Sequence, residues 1–306
     1  MSARRFPLRQ AGMTLAELLV ALALGLGVLL AGAVLMIGAN KSYVAHEDAA
    51  GIDDGGRFAL ALIGRAVRQG AFIDWEGLKG AAPDKDLPAP LAGLDSRSLL
   101  KTGFGIDKPV SAAVNGSDVL AVRYAGAGAA PDGDGSVLDC AGFAIPASKE
   151  GWSIFYVARN GDGEAELRCK YRGAVNWSAD AVVAGVDGFQ VLYGLDTDTP
   201  PDGIPNRYVN AAALAALDAA LPAAQRNEKT CWKRVASVQV ALLLHGERAS
   251  AAPVQPAGYA LFGPAYAKAH TGDEGVQLAQ AQLRGRGPAT SRRLFTAVFA
   301  VGAAQP

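Results

Sequence analysis

The sequence predicts an α+β protein. One long N-terminal helix, membrane-spanning in its first half, packs on an antiparallel β-sheet domain with long loops. Three observations lead there. From Leu18 to Ala39 the chain runs 22 residues without a charge, long enough to cross a bilayer as a helix. Apolar residues then recur at roughly helical spacing, with Ile52, Ala59, Ile63 and Val67 in one row and Phe58, Leu62 and Ala66 beside it. Beyond residue 116, short β-rich runs alternate with turn signals.

The first element carries the most specific pattern. A short leader with Arg4, Arg5 and Arg9 ends at Gly12, followed by Met13-Thr14-Leu15-Ala16-Glu17 and the apolar run. A carboxylate at the head of a membrane helix is costly to bury and marks function. A secretory signal has a shorter core, about 7–15 residues, and a small-x-small cleavage site after it. The Arg4-Arg5 pair is a faint twin-arginine match, but no such site follows the apolar run here either. A plain anchor explains the length and the arginines, which would be held in the cytoplasm. It leaves the fixed spacing of Gly12 and Glu17 unexplained. That arrangement resembles the class III signal of type IV prepilins and pseudopilins. The resemblance implies a leader over 1–12, cut by a prepilin peptidase after Gly12, with Met13 as the N-methylated new terminus. Many pilins have Phe at that place. It also implies that Glu17 is an assembly residue. An unpaired carboxylate in a dry helix bundle is strongly unfavourable, and a neighbouring subunit's N-terminal amine would neutralise it. Gly25, Gly27 and Gly32 would permit close helix approach, or simply reflect an Ala/Gly/Leu-rich segment.

The helix is expected to run through a membrane or filament-core part, 13–40, and an amphipathic continuation, 41–72. Arg57, Arg65 and Arg68 fall outside the apolar stripe. Gly51 and the Gly55-Gly56 pair each cost about 1 kcal/mol relative to alanine inside a helix, so a bend or short break is expected between Gly51 and Gly56. Gly70 is a natural stop. The remainder, 73–306, is read as one periplasmic β-rich domain. Residues 74–116, with Pro83, Pro88, Pro90 and Pro109, read as a long connection. Strands are expected at 118–124, 137–143, 153–158, 166–171, 189–193, 235–245 and 294–301. Asn160-Gly161-Asp162-Gly163 is expected to close a hairpin. Val238, Val240, Leu242 and Leu244 alternate with their neighbours, as on a strand with one well-buried face. Ala211–Leu221, ended by Pro222, is the expected extra helix.

Several distal segments resemble the PilW family of type IV pilus minor pilins. They are Arg57-Phe58-Ala59-Leu60 with Ala66-Val67-Arg68-Gln69-Gly70, Trp152 to Val157 before Leu167-Arg168-Cys169, and Gly185 to Gly194 running into Asp196-Thr197-Asp198. Trp232 ahead of the Val235–Leu244 run and Arg292-Arg293-Leu294-Phe295-Thr296 complete the series. The Ala300-Val301-Gly302-Ala303 end departs from that family, where Arg-Asn is common. The resemblance implies a non-enzymatic subunit for pilus assembly or priming. Its partners would be other minor pilins, the major pilin, prepilin peptidase and the inner membrane, and its destination the pilus fibre. A minor pseudopilin of a type II secretion system shares the leader, Glu17 and the helix-plus-sheet plan.

Composition narrows the remaining chemistry. Of 306 residues, 29 are basic and 29 acidic, and they are scattered, so no nucleic-acid surface is expected. Cys140, Cys169 and Cys231 fall on the exported side, where disulfides persist. Cys140 and Cys169 each sit near the end of a strand-like run and are the favoured pair, with Cys231 as the odd thiol; pairing through Cys231 instead stays open, since sequence alone does not give connectivity. Asp196, Asp198 and Asp202, with Gly203, offer oxygen ligands of the kind a calcium loop needs, although Pro200 and Pro201 stretch the spacing. The alternative is an acidic turn whose carboxylates cap the backbone. The Asp132–Gly135 and Asp162–Glu164 segments read as ordinary turns. Histidines 46, 245 and 270 are isolated, with His245 read as an edge residue, and no zinc spacing, nucleophile elbow or phosphate loop occurs. Trp75, Trp152, Trp177 and Trp232 read as core packing rather than as a ligand platform. An anchored enzyme is therefore the weakest reading.

Overall fold

The computed structural model describes residues 12–70, 87–111, 113–173, 175–249, 257–283 and 290–301. The leader up to Ala11, Trp75 and the start of the connecting segment lie outside the described residues. The chain divides into two units, Met1–Asp48 and Ala49–Pro306.

Helix α1 runs without interruption from Leu15 to Gln69. No break forms between Gly51 and Gly56, for a packing reason. A Cβ on Gly56 would lie 2.5 Å from the Phe295 ring, and one on Gly55 would lie 2.8 Å from Val183. These glycines let a helix face approach two strands closely. The burial of Ile52, Ala59, Ile63, Ala66 and Val67 offsets their helix cost, since each large apolar side chain contributes about 1.5–3 kcal/mol when buried. The helix stops where expected: the Gly70 N–H donates to the carbonyls of Ala66 and Val67.

Two main sheets follow, where the sequence suggests one. The first is five-stranded and antiparallel in the order β1 (Leu91–Leu94), β2 (Val119–Ala125), β3 (Glu150–Arg159), β4 (Ala165–Arg172), β5 (Trp177–Ala184). The second places β6 (Val186–Leu195) and β7 (Arg207–Val209) on one side of β8 (Val235–Ala249), and β11 (Thr290–Ala300) on the other. A small pair, β9 (Gly258–Ala260) and β10 (Gln277–Ala279), makes a third. Helices α2 (Ala211–Ala219), α3 (Arg226–Lys229) and α4 (Pro264–Ala269) decorate the connections. The chain passes from β5 into β6 through Gly185 alone, at φ +75°, where a Cβ would meet the His245 carbonyl. Only glycine adopts that backbone cheaply.

One core joins both sheets to the helix. It includes Val122, Phe155 and Leu167 from the first sheet, Phe189, Val191, Val240 and Leu242 from the second, and Ile63 and Val67 from α1. Strand β8 is buried on both faces, because Ala241 and Leu243 pack under β9 and β10 with Leu261 and Leu278. The expected strand at 137–143 is instead a turn with one isolated bridge, Leu138 to Ala144. Asp139 explains the difference, since its carboxylate takes the N–H groups of Ala141 and Phe143 and bends the backbone out of any ladder. The 160–163 hairpin closes β3 onto β4 as expected, with Asn160 Oδ1 accepting from Asp162 and Glu164. Helix α2 begins one residue after Asn210, whose side chain caps Ala213.

Candidate functional site

The N-terminal junction has a defined local chemistry. The Glu17 carboxylate accepts the Thr14 N–H at 2.9 Å and the Thr14 hydroxyl at 3.0 Å, while the Glu17 N–H donates back to Thr14 Oγ1 at 3.3 Å. This is a reciprocal capping box, which satisfies donors left over at a helix start. The Thr-x-x-Glu spacing was visible in the sequence, yet its capping meaning is easily missed beside the apolar run. Both bonds that the carboxylate accepts engage one oxygen, Oε2. Glu17 is exposed, as are Leu18, Leu19, Leu22, Leu26, Leu29 and Leu35, the last at 73%. No Cβ added at Gly25, Gly27 or Gly32 meets any atom within 4 Å. Gly12 and Met13 are exposed and precede the helix.

Within the second unit, Cys140 and Cys169 form a disulfide with their Cα atoms 5.9 Å apart, as the sequence suggests. The bridge ties the Asp139 turn to β4, and the Arg65 guanidinium and Gln69 amide of α1 donate to the carbonyls of Asp139 and Leu138. Cys231 is free and partly buried.

The acidic turn gathers Asp196, Asp198 and Asp202, with one oxygen of each within 4.8 Å of the others. Backbone groups already use these carboxylates. Asp196 accepts from Asp198 N at 2.9 Å and Gly203 N at 2.7 Å, and Asp202 accepts from Ile204 N at 2.8 Å. Those N–H groups hold the Asp196 carboxyl below its ordinary range. Asn206 donates to Asp198, and the Arg234 guanidinium donates to the Asp198 carbonyl.

Other polar side chains are buried where composition gave no warning. His245 is not an edge residue, because β8 lies between β6 and β11. Its ring nitrogens lie 3.1 Å from Glu164 and 3.1 Å from Asp187, and Arg292 grips Asp187 at 2.7 Å. These residues fasten the β3–β4 hairpin to β6, β8 and β11. Lys170 is buried beneath the 99–111 loop, donating to the carbonyls of Leu100 and Gly105 with Trp177 at 5.5 Å; burial lowers its ammonium to about 8. Asp118 joins the two sheets by accepting from Ser96 N and Val191 N, and burial pushes its carboxyl well above the ordinary range. Trp177 is buried, while Trp152 and Trp232 are half-buried beside a cleft of about 290 Å³.

No curated protein matches the sequence. Among solved structures, a type IV-like pilin from Thermus thermophilus aligns at TM-score 0.32 and 14% identity, covering 70% of this chain and 85% of that one. A family model, type IV pilus-assembly protein W, matches residues 154–302, from within β3 past the end of β11. Over that span the chain is similar to the PilW family.

Proposed function

We propose that the chain is a minor pilin: a non-enzymatic structural subunit that primes or caps a type IV pilus. It is inserted in the inner membrane by the first half of α1, with the domain from residue 73 in the periplasm, trimmed after Gly12 and N-methylated at Met13. It then enters the fibre with other minor pilins and the major pilin. The observation that carries this reading is an exposed apolar helix headed by Glu17, on a chain whose distal half matches the PilW family. Outside a membrane or a helix bundle, that much bare apolar surface would be unfavourable.

In this reading Glu17 has two tasks. Oε2 caps its own helix, and Oε1 is left for the N-terminal amine of the next subunit, so the carboxylate pins the register of the bundle. The two tasks separate by mutation. Thr14→Ala removes the side-chain half of the cap and should leave incorporation into sheared fibres near wild type. Glu17→Ala should be trimmed normally yet incorporate about tenfold less, the loss expected when roughly 1.4 kcal/mol of contact is removed. Wild-type incorporation of Glu17→Ala, measured by immunoblot of the fibre fraction, would overturn the register role.

A further inference from the structure

Among the described residues, strand β11 forms one edge of the second sheet and pairs only with β8. The Val301 N–H donates to the Ala236 carbonyl at 2.9 Å. In an antiparallel ladder, residues that exchange such bonds alternate with residues that face away. The register is unbroken from Arg292 to Ala300. Hence Phe295, Ala297 and Phe299 turn their N–H and C=O groups toward β8, while Leu294, Thr296, Val298 and Ala300 turn theirs outward. Among the described residues no strand pairs with that outward side.

Protein edges are normally blunted by lysine, proline, a bulge or shortness. From Leu294 to Ala300 this strand has none of these: the sequence Leu-Phe-Thr-Ala-Val-Phe-Ala is uncharged, and the only irregularity lies back at Thr290–Arg292. Leu294 is covered by the Leu261 and Leu278 cluster under β9 and β10. Past it the cover ends, and Val298 is 55% exposed.

The flank beside this edge is basic. Phe295 and Phe299 lie against α1 at Gly56 and Gly64, and Arg293 pairs with Asp53 while staying half-exposed. Arg57 follows Asp53 by four residues, and Arg68 follows Gly64 by four, so both lie on the same side of the helix; both are exposed. A strand added to β11 would therefore run past these two guanidinium groups on one face and past Val298 on the other. A second copy of this chain fits poorly, because it would bring its own Arg57 and Arg68 to the same place.

We propose that the outer edge of β11, Leu294–Ala300, is a docking site for a β-strand donated by another fibre subunit. The donor carries carboxylates on the face toward Arg57 and Arg68, and apolar residues on the face toward Val298. Main-chain bonds would supply the affinity and the alternating side chains the selection. That the donor is a fibre subunit rests on the assembly reading above; the edge itself does not.

The experiment has two arms that fail separately. In the first, the full-length chain in detergent is mixed with a blocked peptide of alternating valine and glutamate, and amide hydrogen exchange is read by mass spectrometry. The N–H groups of Thr296 and Val298 should exchange about tenfold more slowly, and a valine–lysine peptide should have no effect. Val298→Pro removes only an outward N–H, so it should stay folded and lose the protection. Ala297→Pro removes a bond to β8 and serves as the unfolding control. Absence of protection by the glutamate peptide overturns the proposal. In the second arm, the same amides are read in sheared fibres. Protection there, lost together with incorporation in Val298→Pro, supports a subunit donor, whereas unprotected amides in fibre-bound chain overturn it. A chain absent from the fibres altogether defeats the assembly reading instead, and the peptide arm alone then decides the edge.

Discussion

The two halves of helix α1 use the same kind of residue for opposite ends. Before Asp48, Leu18 is 50% and Leu35 73% exposed; after Ala49, Ile63 and Val67 are 0% exposed. The glycines differ in the same way. Those at 25, 27 and 32 meet nothing, whereas Gly56 and Gly64 lie where a Cβ would strike Phe295 and Phe299 at 2.5 Å. On the reading proposed above, the first half has its partners in lipid or in other helices. The second half already has its partners in β5 and β11. A hydrophobic helix thus reports only that something covers it, and the fit of its glycines tells what.

The largest effect is expected in the first half. Gly12→Leu should abolish trimming, leaving a full-length precursor by intact mass and membrane immunoblot. Normal maturation of that variant would remove the processed-anchor reading and reduce the first half to a plain anchor. The second half is tested by overpacking. Gly56→Leu should cost about 1–3 kcal/mol of stability, seen as a lower urea midpoint. Gly27→Leu, where nothing is near, should leave the midpoint unchanged. If both variants behaved alike, the glycines would not distinguish the halves.

The smallest effect is expected at the acidic turn. Because backbone N–H groups occupy Asp196, calcium should leave the Tm unchanged; a rise that disappears in Asp196→Asn would assign the turn to the cation. The same bonds give a sign for pH. The folded chain holds the Asp196 proton less tightly than the unfolded chain, where the ordinary value is 3.8. Its stabilisation is therefore present above about that pH and lost as pH falls through the lower folded value. Asp118 runs the other way. Its folded value is raised by burial, so its contribution grows as pH falls through that value toward 3.8. Acid titrations of Asp196→Asn and Asp118→Asn against wild type should show opposite slopes.

Much of the fold was legible because its signals are local. The charge-free run, the Gly70 stop, the Asn-Gly-Asp-Gly hairpin and the alternation in β8 depend on neighbours in the chain. The misses were contextual. Strand β5, Trp-Ser-Ala-Asp-Ala-Val-Val-Ala, has no clean alternation and exists because β4 pairs with it along its length. The 137–143 run has strand-like residues, but Asp139 takes its backbone donors. The pairing of Cys140 with Cys169 was anticipated, although Cys140 sits in a turn rather than at a strand end. His245 reads as an edge residue in the sequence, but edge or centre is a property of strand order, and β11 on the far side of β8 makes it central.

By itself the sequence determined a charge-free run with a carboxylate at its head, the Asn160–Gly163 turn, the cysteine inventory and distal segments that resemble the PilW family. Each of these is written in residue type and spacing along one chain. The tertiary structure alone decided that the helix runs unbroken through its glycines, that the strands form two main sheets rather than one, and that, among the described residues, no strand pairs with the outer side of β11. These depend on which surfaces meet across long separations, where a missing Cβ or an unpaired N–H acquires meaning only from what lies opposite.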